Sequence, residues 1–288
     1  MDKQARMSHI LNFAKNNTIN TGLMAGEVAI VGAGCGELEL MTIKAANTVS
    51  QATALVYDSL VSHDILTLVS AECERHFVGK RCGQPSAKQD DINALLLALA
   101  LKGKKVVRLK GGDPHIFGRG AEESLYLAQH GVKSHFVAGV TAALGCASSS
   151  HIPLTYRGVA RSVTLITGTK QSAQHYDKSA RQWLALLQAE STLVFYMGKE
   201  QAPSISAGLL AAGCAPQLGV AFVTNGGRRN QIIRYTTVAE MPQQAKNIIS
   251  SGPTLMIIGE VVQVGHELQT LIEDIDNKSQ EAGYAKCE

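Results

Sequence analysis

Two apolar runs, each ending in glycines, constrain this chain more than any other feature. Glu27-Val28-Ala29-Ile30-Val31 leads straight into Gly32-Ala33-Gly34-Cys35-Gly36, and Lys105 to Leu109 leads into Lys110-Gly111-Gly112-Asp113-Pro114. Short β-branched or apolar runs of this kind read as strands. Glycines at a strand end permit positive φ and let backbone N–H groups approach a ligand. The expectation is an α/β enzyme whose glycine turns sit close to a bound molecule. Gly supplies 27 of the 288 residues and aromatics only 5%, a balance that suits this class.

Strand and helix signals alternate along the rest of the chain. Further strand-like runs are Thr53 to Tyr57, Ser134 to Val137, Val163 to Thr167, Thr192 to Met197, Gly219 to Val223, Ile232 to Tyr235 and Thr254 to Ile258. Helical spacing of apolar residues marks Asp91 to Leu101, Ala180 to Gln188 and Ile205 to Ala212. The length suits two domains at roughly 100–200 residues each. Ser148 to Thr155, with its Ser-Ser-Ser-His-Ile-Pro segment, interrupts both periodicities. The expected organisation is therefore an extension over 1–25, an α/β domain over 26–150, a second over 151–269 and a polar tail over 270–288.

Charge and cysteine usage exclude several classes. The 27 basic and 24 acidic side chains leave a net charge of +3, far from the basic field of a nucleic-acid binder. Six cysteines, at 35, 73, 82, 146, 214 and 287, form no CxxC pair and read as reduced thiols of a cytoplasmic protein. The nine histidines include no HxxxH, so no metal site is expected. The longest uncharged run, Gln201 to Gly227, is broken by Pro203 and Pro216 and does not supply the ~20 continuous apolar residues of a membrane span. The N-terminus lacks the apolar core of a signal peptide.

The first glycine loop invites comparison with dinucleotide-binding turns. A GxGxxG fingerprint would need its third glycine at position 37, where this chain has Glu37. Asp58, ending the next strand, could still stand for the ribose-binding acid of such a fold. The stronger signal is Arg108 to Gly120, which reads Arg-Leu-Lys-Gly-Gly-Asp-Pro-His-Ile-Phe-Gly-Arg-Gly. Paired glycines permit close backbone approach, Asp113 offers a carboxylate and Pro114 fixes the exit. Gly118-Arg119-Gly120 then leads into Glu122-Glu123, the acidic first turn of a helix.

Seven blocks in order carry a resemblance: Val31 to Gly36, Leu55 to Val61, Val78-Gly79-Lys80-Arg81, Arg108 to Gly120, Gly139 to Ala143, Val194 to Gly198 and Gly252-Pro253-Thr254. Over residues 26 to 263 the chain resembles the tetrapyrrole (corrin/porphyrin) methylases. Tyr57-Asp58-Ser59-Leu60-Val61 and Val78-Gly79-Lys80-Arg81 are similar to the branch that acts on uroporphyrinogen III. The resemblance implies two α/β domains with S-adenosyl-L-methionine in the cleft between them. It also implies methylation at C2 and C7 to give precorrin-2 for sirohaem or cobalamin, S-adenosyl-L-homocysteine as by-product, and a homodimer.

By the same resemblance the cofactor meets Cys35, the backbone of Gly111, Gly112 and Asp113, and Ile116. Thr141, Ala142, Met197 and Gly226 complete that set. Asp58 and Lys80 fall at the family's proton acceptor and donor positions. A carboxylate near an electron-rich macrocycle can take a proton, and a lysine flanked by positive charge can give one near neutrality. The substrate carries eight carboxylates, which Lys80, Arg81, Arg108, Arg119, Arg157 and Arg161 could meet. Arg81, Arg108 and above all Arg119 are the expected hooks, because arginine forks match carboxylates.

The chain also departs from the family pattern. Cys35 stands where Pro is usual, Glu37-Leu38 where Asp-Pro is usual, Ala138 replaces a Pro, and Lys170 follows Thr169 where Thr-Gly-His is common. About 25 residues precede the resemblance, so the expectation is that oxidation and iron insertion fall to another protein. From the residues alone two other classes stay open: an oxidoreductase that uses Gly32 to Gly36 and Asp58 for NAD, and a tetrapyrrole carrier without turnover.

Overall fold

The computed structural model describes residues 22–79, 88–168, 180–249 and 252–284. The chain divides into two compact units, Met1–Ala142 and Ala143–Glu288. In the first, strands β1 (Val28–Gly32), β2 (Ala54–Tyr57), β3 (Glu74–Phe77), β4 (Val106–Lys110) and β5 (Ser134–Val137) form one sheet in the order β3-β2-β4-β1-β5. Every pairing is parallel. Parallel strands need crossovers that cover both faces, so central strands are buried throughout. All five residues of β1 and of β4 are buried.

Side-chain alternation sorts the strand residues into two cores. Ala29, Val31, Leu55, Val107 and Leu109 pack with Ala45, Ala46 and Val49 of helix α1 (Ile43–Ser50) and with Ile65 and Leu66 of a short 3₁₀ turn. Val28, Ile30, Ala54, Val56 and Val106 pack with Ile92, Leu96 and Leu99 of α2 (Gln89–Leu101) and Leu127 of α3 (Gly120–Gln129). The division follows from crossover direction. The chain moves one way across the sheet from β1 to β2 and β3, then the other way from β3 to β4 and β5, and right-handed crossovers put those two sets of connections on opposite faces. Thr42 caps α1, accepting from Ala45 N at 3.1 Å and donating to Ala138 O at 3.1 Å.

The second unit is built on a mixed sheet. β6 (Ser162–Thr167), β7 (Ser191–Tyr196), β8 (Gly219–Thr224), β9 (Ile232–Thr237) and β10 (Thr254–Ile258) lie in the order β6-β7-β10-β8-β9. β6 and β7 are parallel, and β10 runs antiparallel to both β7 and β8. Helices α4 (Ala142–Ser149), α5 (Ala180–Gln188), α6 (Ala202–Ala211), α7 (Met241–Asn247) and α8 (Val261–Tyr284) accompany it. Leu193, Phe195, Val220, Phe222, Met256 and Ile258 meet Trp183, Ile205 and Leu209 in its core.

Two expected segments look different in three dimensions. Leu23, inside the stretch read as an extension, is buried against the first unit's core. The stretch read as a polar tail after Gln269 continues α8 as far as Tyr284. Its Leu271 and Ile275 keep helical spacing with Leu268 just before it but remain exposed, so polarity hid a helix there. No helix among the described residues is long and apolar enough to cross a membrane.

Candidate active site

The strand order creates a switch point in the first unit. β1 and β4 are neighbours, yet the chain leaves β1 toward β2 and leaves β4 toward β5. Ligands of parallel sheets bind outside the carboxyl ends of strands at such a point. Both glycine loops emerge there and grip each other: Gly34 N donates to Gly112 O at 3.2 Å and Gly112 N to Gly34 O at 2.8 Å. Gly32, Gly112 and Gly139 also crowd together. A Cβ at Gly32 would lie 2.6 Å from both Gly112 O and Gly139 Cα, and one at Gly139 would strike Gly112 O as well.

Gly112 differs from the other two. Its φ of +72° favours glycine, but a Cβ there would meet nothing nearer than Ala142 N at 3.7 Å. A Cβ at Gly112 would therefore rest in ordinary van der Waals contact with Ala142 N and with Thr141 Cα at 3.8 Å, without a clash. Asp113 fixes this arrangement, its Oδ2 accepting from Gly139 N at 3.0 Å and its Oδ1 from His115 N at 2.8 Å. Both carboxylate oxygens thus have structural work in the loop.

This geometry removes the dinucleotide reading. β4 separates β1 from β2, so Asp58 does not end the strand beside the first glycine loop. The Gly34 N–H is already engaged, and the helix after the loop begins only at Ile43, too late for its N-terminus to receive a pyrophosphate held by that loop.

Asp58 directly follows β2, its Oδ1 accepting from Leu60 N at 3.0 Å and its Oδ2 lying 3.6 Å from Arg108 Nη2. Arg108 is only 4% exposed, with Nε on Glu123 Oε1 at 3.2 Å and Nη1 on Leu109 O at 3.0 Å. Lys110 Nζ reaches the same Glu123 oxygen at 2.7 Å. Burial, with Arg108 alongside, lowers the Lys110 pKa from its ordinary value, and Glu123 opposes part of that.

Arg119 behaves quite otherwise. Its backbone is left-handed, φ 58°, and its side chain is 55% exposed and grips Glu122 at 2.7 Å. This pair raises the Arg119 pKa and lowers that of Glu122. Arg157 and Arg161 line a shallow depression of about 310 Å³ with Tyr156 and Gly158 in the second unit. Lys80 and Arg81 lie outside the described residues.

Within the first unit, Cys35, Gly111, Gly112, Asp113, Ile116, Thr141 and Ala142 all fall on loops, or on the start of α4, beyond the carboxyl edge of the sheet. Met197 and Gly226 follow β7 and β8, which run parallel on either side of β10, so both lie at one edge of the second sheet. Met197 is 54% exposed with φ 54°. A left-handed, exposed methionine at a strand end is not a core residue and marks a strained position of the kind found at functional sites. Gly226 is buried, and a Cβ on it would collide with Cys146 Sγ. Tyr196 is a participant that sequence reasoning passed over: its hydroxyl accepts from Ala143 N at 2.9 Å, satisfying a donor in the first turn of α4. Its position before Met197 carried no separate signal.

A family model described as tetrapyrrole (corrin/porphyrin) methylases matches residues 27–242. The chain belongs to the tetrapyrrole methylase family. It is 43% identical to a sirohaem synthase of Hydrogenovibrio crunogenus over 275 residues, covering 95% of this chain and 57% of that one. With a sirohaem synthase of Salmonella typhimurium it shares 44% over 243 residues, 84% of this chain and 52% of that one. This tetrapyrrole methylase thus spans just over half the length of those relatives. Among solved structures, the uroporphyrin-III C-methyl transferase of Thermus thermophilus complexed with S-adenyl homocysteine aligns with a TM-score of 0.69 and 34% identity, over 83% of this chain and 94% of that one. A cobalt precorrin-4 methyltransferase aligns with a TM-score of 0.71 at 22% identity, covering 82% and 96%, which is a likeness of fold.

Proposed function

We propose that this tetrapyrrole methylase transfers methyl groups from S-adenosylmethionine to C2 and C7 of uroporphyrinogen III. The products are precorrin-2 and two molecules of S-adenosylhomocysteine. The observation that carries this reading is the likeness to the Thermus enzyme, 34% identical across 94% of that chain and solved with S-adenyl homocysteine. The glycine turns suit such a cofactor, because a glycine at φ +72° with no side chain lets the Gly112 backbone come close to a ligand.

The cofactor supplies an electrophilic sulfonium methyl. The chain's own residues do the rest. The backbone at Gly111 to Asp113, with Cys35, Ile116, Thr141, Ala142, Met197 and Gly226, holds the cofactor, Met197 adding exposed apolar surface. Arg119, with Arg81, Arg157 and Arg161, meets substrate carboxylates, the Arg119 fork exchanging Glu122 for a substrate oxygen. Each methylation makes a new C–C bond and leaves a proton to be lost from the macrocycle. Asp58 accepts it, and Lys80 supplies protons where the macrocycle is rearranged. The protein acts in the cytoplasm as a homodimer, and its product serves sirohaem or cobalamin synthesis.

Anaerobic incubation with uroporphyrinogen III and labelled S-adenosylmethionine tests the reading. The expected product carries two labelled methyl groups per macrocycle. Binding of the macrocycle without methyl transfer would instead make the protein a carrier.

A further inference from the structure

The proposed function uses Asp58, but the structure places beside Asp58 charges that this role leaves unused. Arg108 and Lys110 lie two residues apart on β4 and bring two cations to one carboxylate oxygen, Glu123 Oε1. Gln89 Nε2 donates to the same atom at 3.2 Å. Glu123 is fully buried, and its second oxygen meets no donor among the described residues. An occluded carboxylate oxygen without a donor costs stability. A buried ion pair is also seldom better than an apolar substitute. Stability alone therefore does not account for the cluster.

Its geometry has a direction. Arg108 is held at two of its nitrogens, Nε by Glu123 and Nη1 by the Leu109 carbonyl, and this leaves Nη2 aimed at Asp58 Oδ2, 3.6 Å away. Strand pairing sets the reach, with Val56 opposite Arg108 and Tyr57 opposite Leu109. The two cations and Glu123 carry one net positive charge, which the Asp58 carboxylate balances. Asp58 is the member of the set nearest solvent, with a side chain 24% exposed.

We propose that Arg108 is a positioning residue: anchored by Glu123 and Lys110, it holds the Asp58 carboxylate in the orientation that takes the proton from the methylated macrocycle. This differs from the sequence expectation that Arg108 binds substrate carboxylates, and it rests on the proposed role of Asp58.

A double-mutant cycle tests it, with kcat and both KM values measured for Arg108→Gln in the natural chain and in an Asp58→Asn background. The expected result is a fall in kcat of about 10- to 100-fold with KM values changed less than about threefold. In the Asp58→Asn background the same change should alter kcat less than about twofold, because residues acting as a unit are not additive. If Arg108→Gln does not fold, Arg108→Lys, which keeps the charge but loses the fork, carries the same comparison. Equal losses in both backgrounds would overturn the proposal, as would an unchanged kcat or a rise confined to the KM for uroporphyrinogen. An Asp58→Asn enzyme with natural turnover would instead remove the role of Asp58 itself, and absence of methyl transfer by the natural chain would remove the proposed function.

Discussion

Gly34 and Gly112 exchange both of their backbone hydrogen bonds, so the loops after β1 and β4 form one unit rather than two independent ligand clamps. A Cβ at Gly112 would make only ordinary contacts, at 3.7 Å or more, while Gly139 is packed against the Gly112 carbonyl. The two glycines should then respond differently to a methyl group. Gly112→Ala is strained only by its φ, at a cost of about 1–2 kcal/mol, and should lose S-adenosylmethionine affinity while remaining folded. Gly139→Ala drives a Cβ into backbone and should lower the melting temperature far more. Calorimetric titration and thermal melting of both variants check this; near-natural cofactor affinity in Gly112→Ala would remove that backbone from the binding site.

Asp58 and Arg119 separate chemistry from binding. Asp58→Asn is nearly isosteric and should lower kcat by roughly 10²- to 10⁴-fold, the usual worth of a general base, with substrate and cofactor still bound. Arg119→Ala should raise the KM for uroporphyrinogen by about tenfold or more, since a charge-assisted hydrogen bond contributes about 1.5–3 kcal/mol. Its exposed pair with Glu122 adds little stability, so melting should scarcely change. Unchanged substrate affinity in Arg119→Ala would move the carboxylate hook to Arg81, Arg157 and Arg161.

Met197 combines a left-handed backbone with an exposed side chain. Met197→Gly relieves the first and deletes the second. Glycine's added chain entropy, about 0.5–1 kcal/mol, offsets part of the relief. The variant should melt at or slightly above the natural temperature and bind S-adenosylmethionine more weakly. A variant that binds as tightly as the natural protein would show that the side chain does not touch the cofactor.

His135 makes acid stability readable. It sits on β5 with Nε2 buried and without a partner among the described residues, beside the Glu27–Lys133 pair. Burial lowers its pKa below the ordinary 6.5, against an opposing pull from Glu27, while Lys44 and Lys133 add to the lowering. The unfolded chain therefore binds the proton first as pH falls through 6.5, and stability drops there until the folded imidazole also titrates. His135→Phe should lose less melting temperature than the natural protein between about pH 7 and pH 5.5. Parallel curves would show that this imidazole titrates alike in both states.

Much of the fold was legible because its signals are local. The runs at Val28 to Val31 and Lys105 to Leu109 became adjacent central strands, Ala180 to Gln188 became α5, and Glu122-Glu123 opened α3 as helix-start chemistry implies. Other elements were missed for equally local reasons. α4 is rich in Ala, Gly and Ser and has little helical periodicity, and the exposed end of α8 reads as a tail because its polar residues outnumber Leu271 and Ile275.

By itself the sequence determined where strands end in glycine, which family motifs follow one another, and which residues could carry charge to a ligand. Only the tertiary structure decided what those residues do. Strand order is a non-local property, and placing β4 between β1 and β2 is what joined the two glycine loops and took Asp58 away from a dinucleotide-like position. Glu122 and Glu123 are neighbours of identical chemistry. Successive helical residues point about 100° apart, so one meets Arg119 in solvent while the other is sealed beneath Arg108 and Lys110.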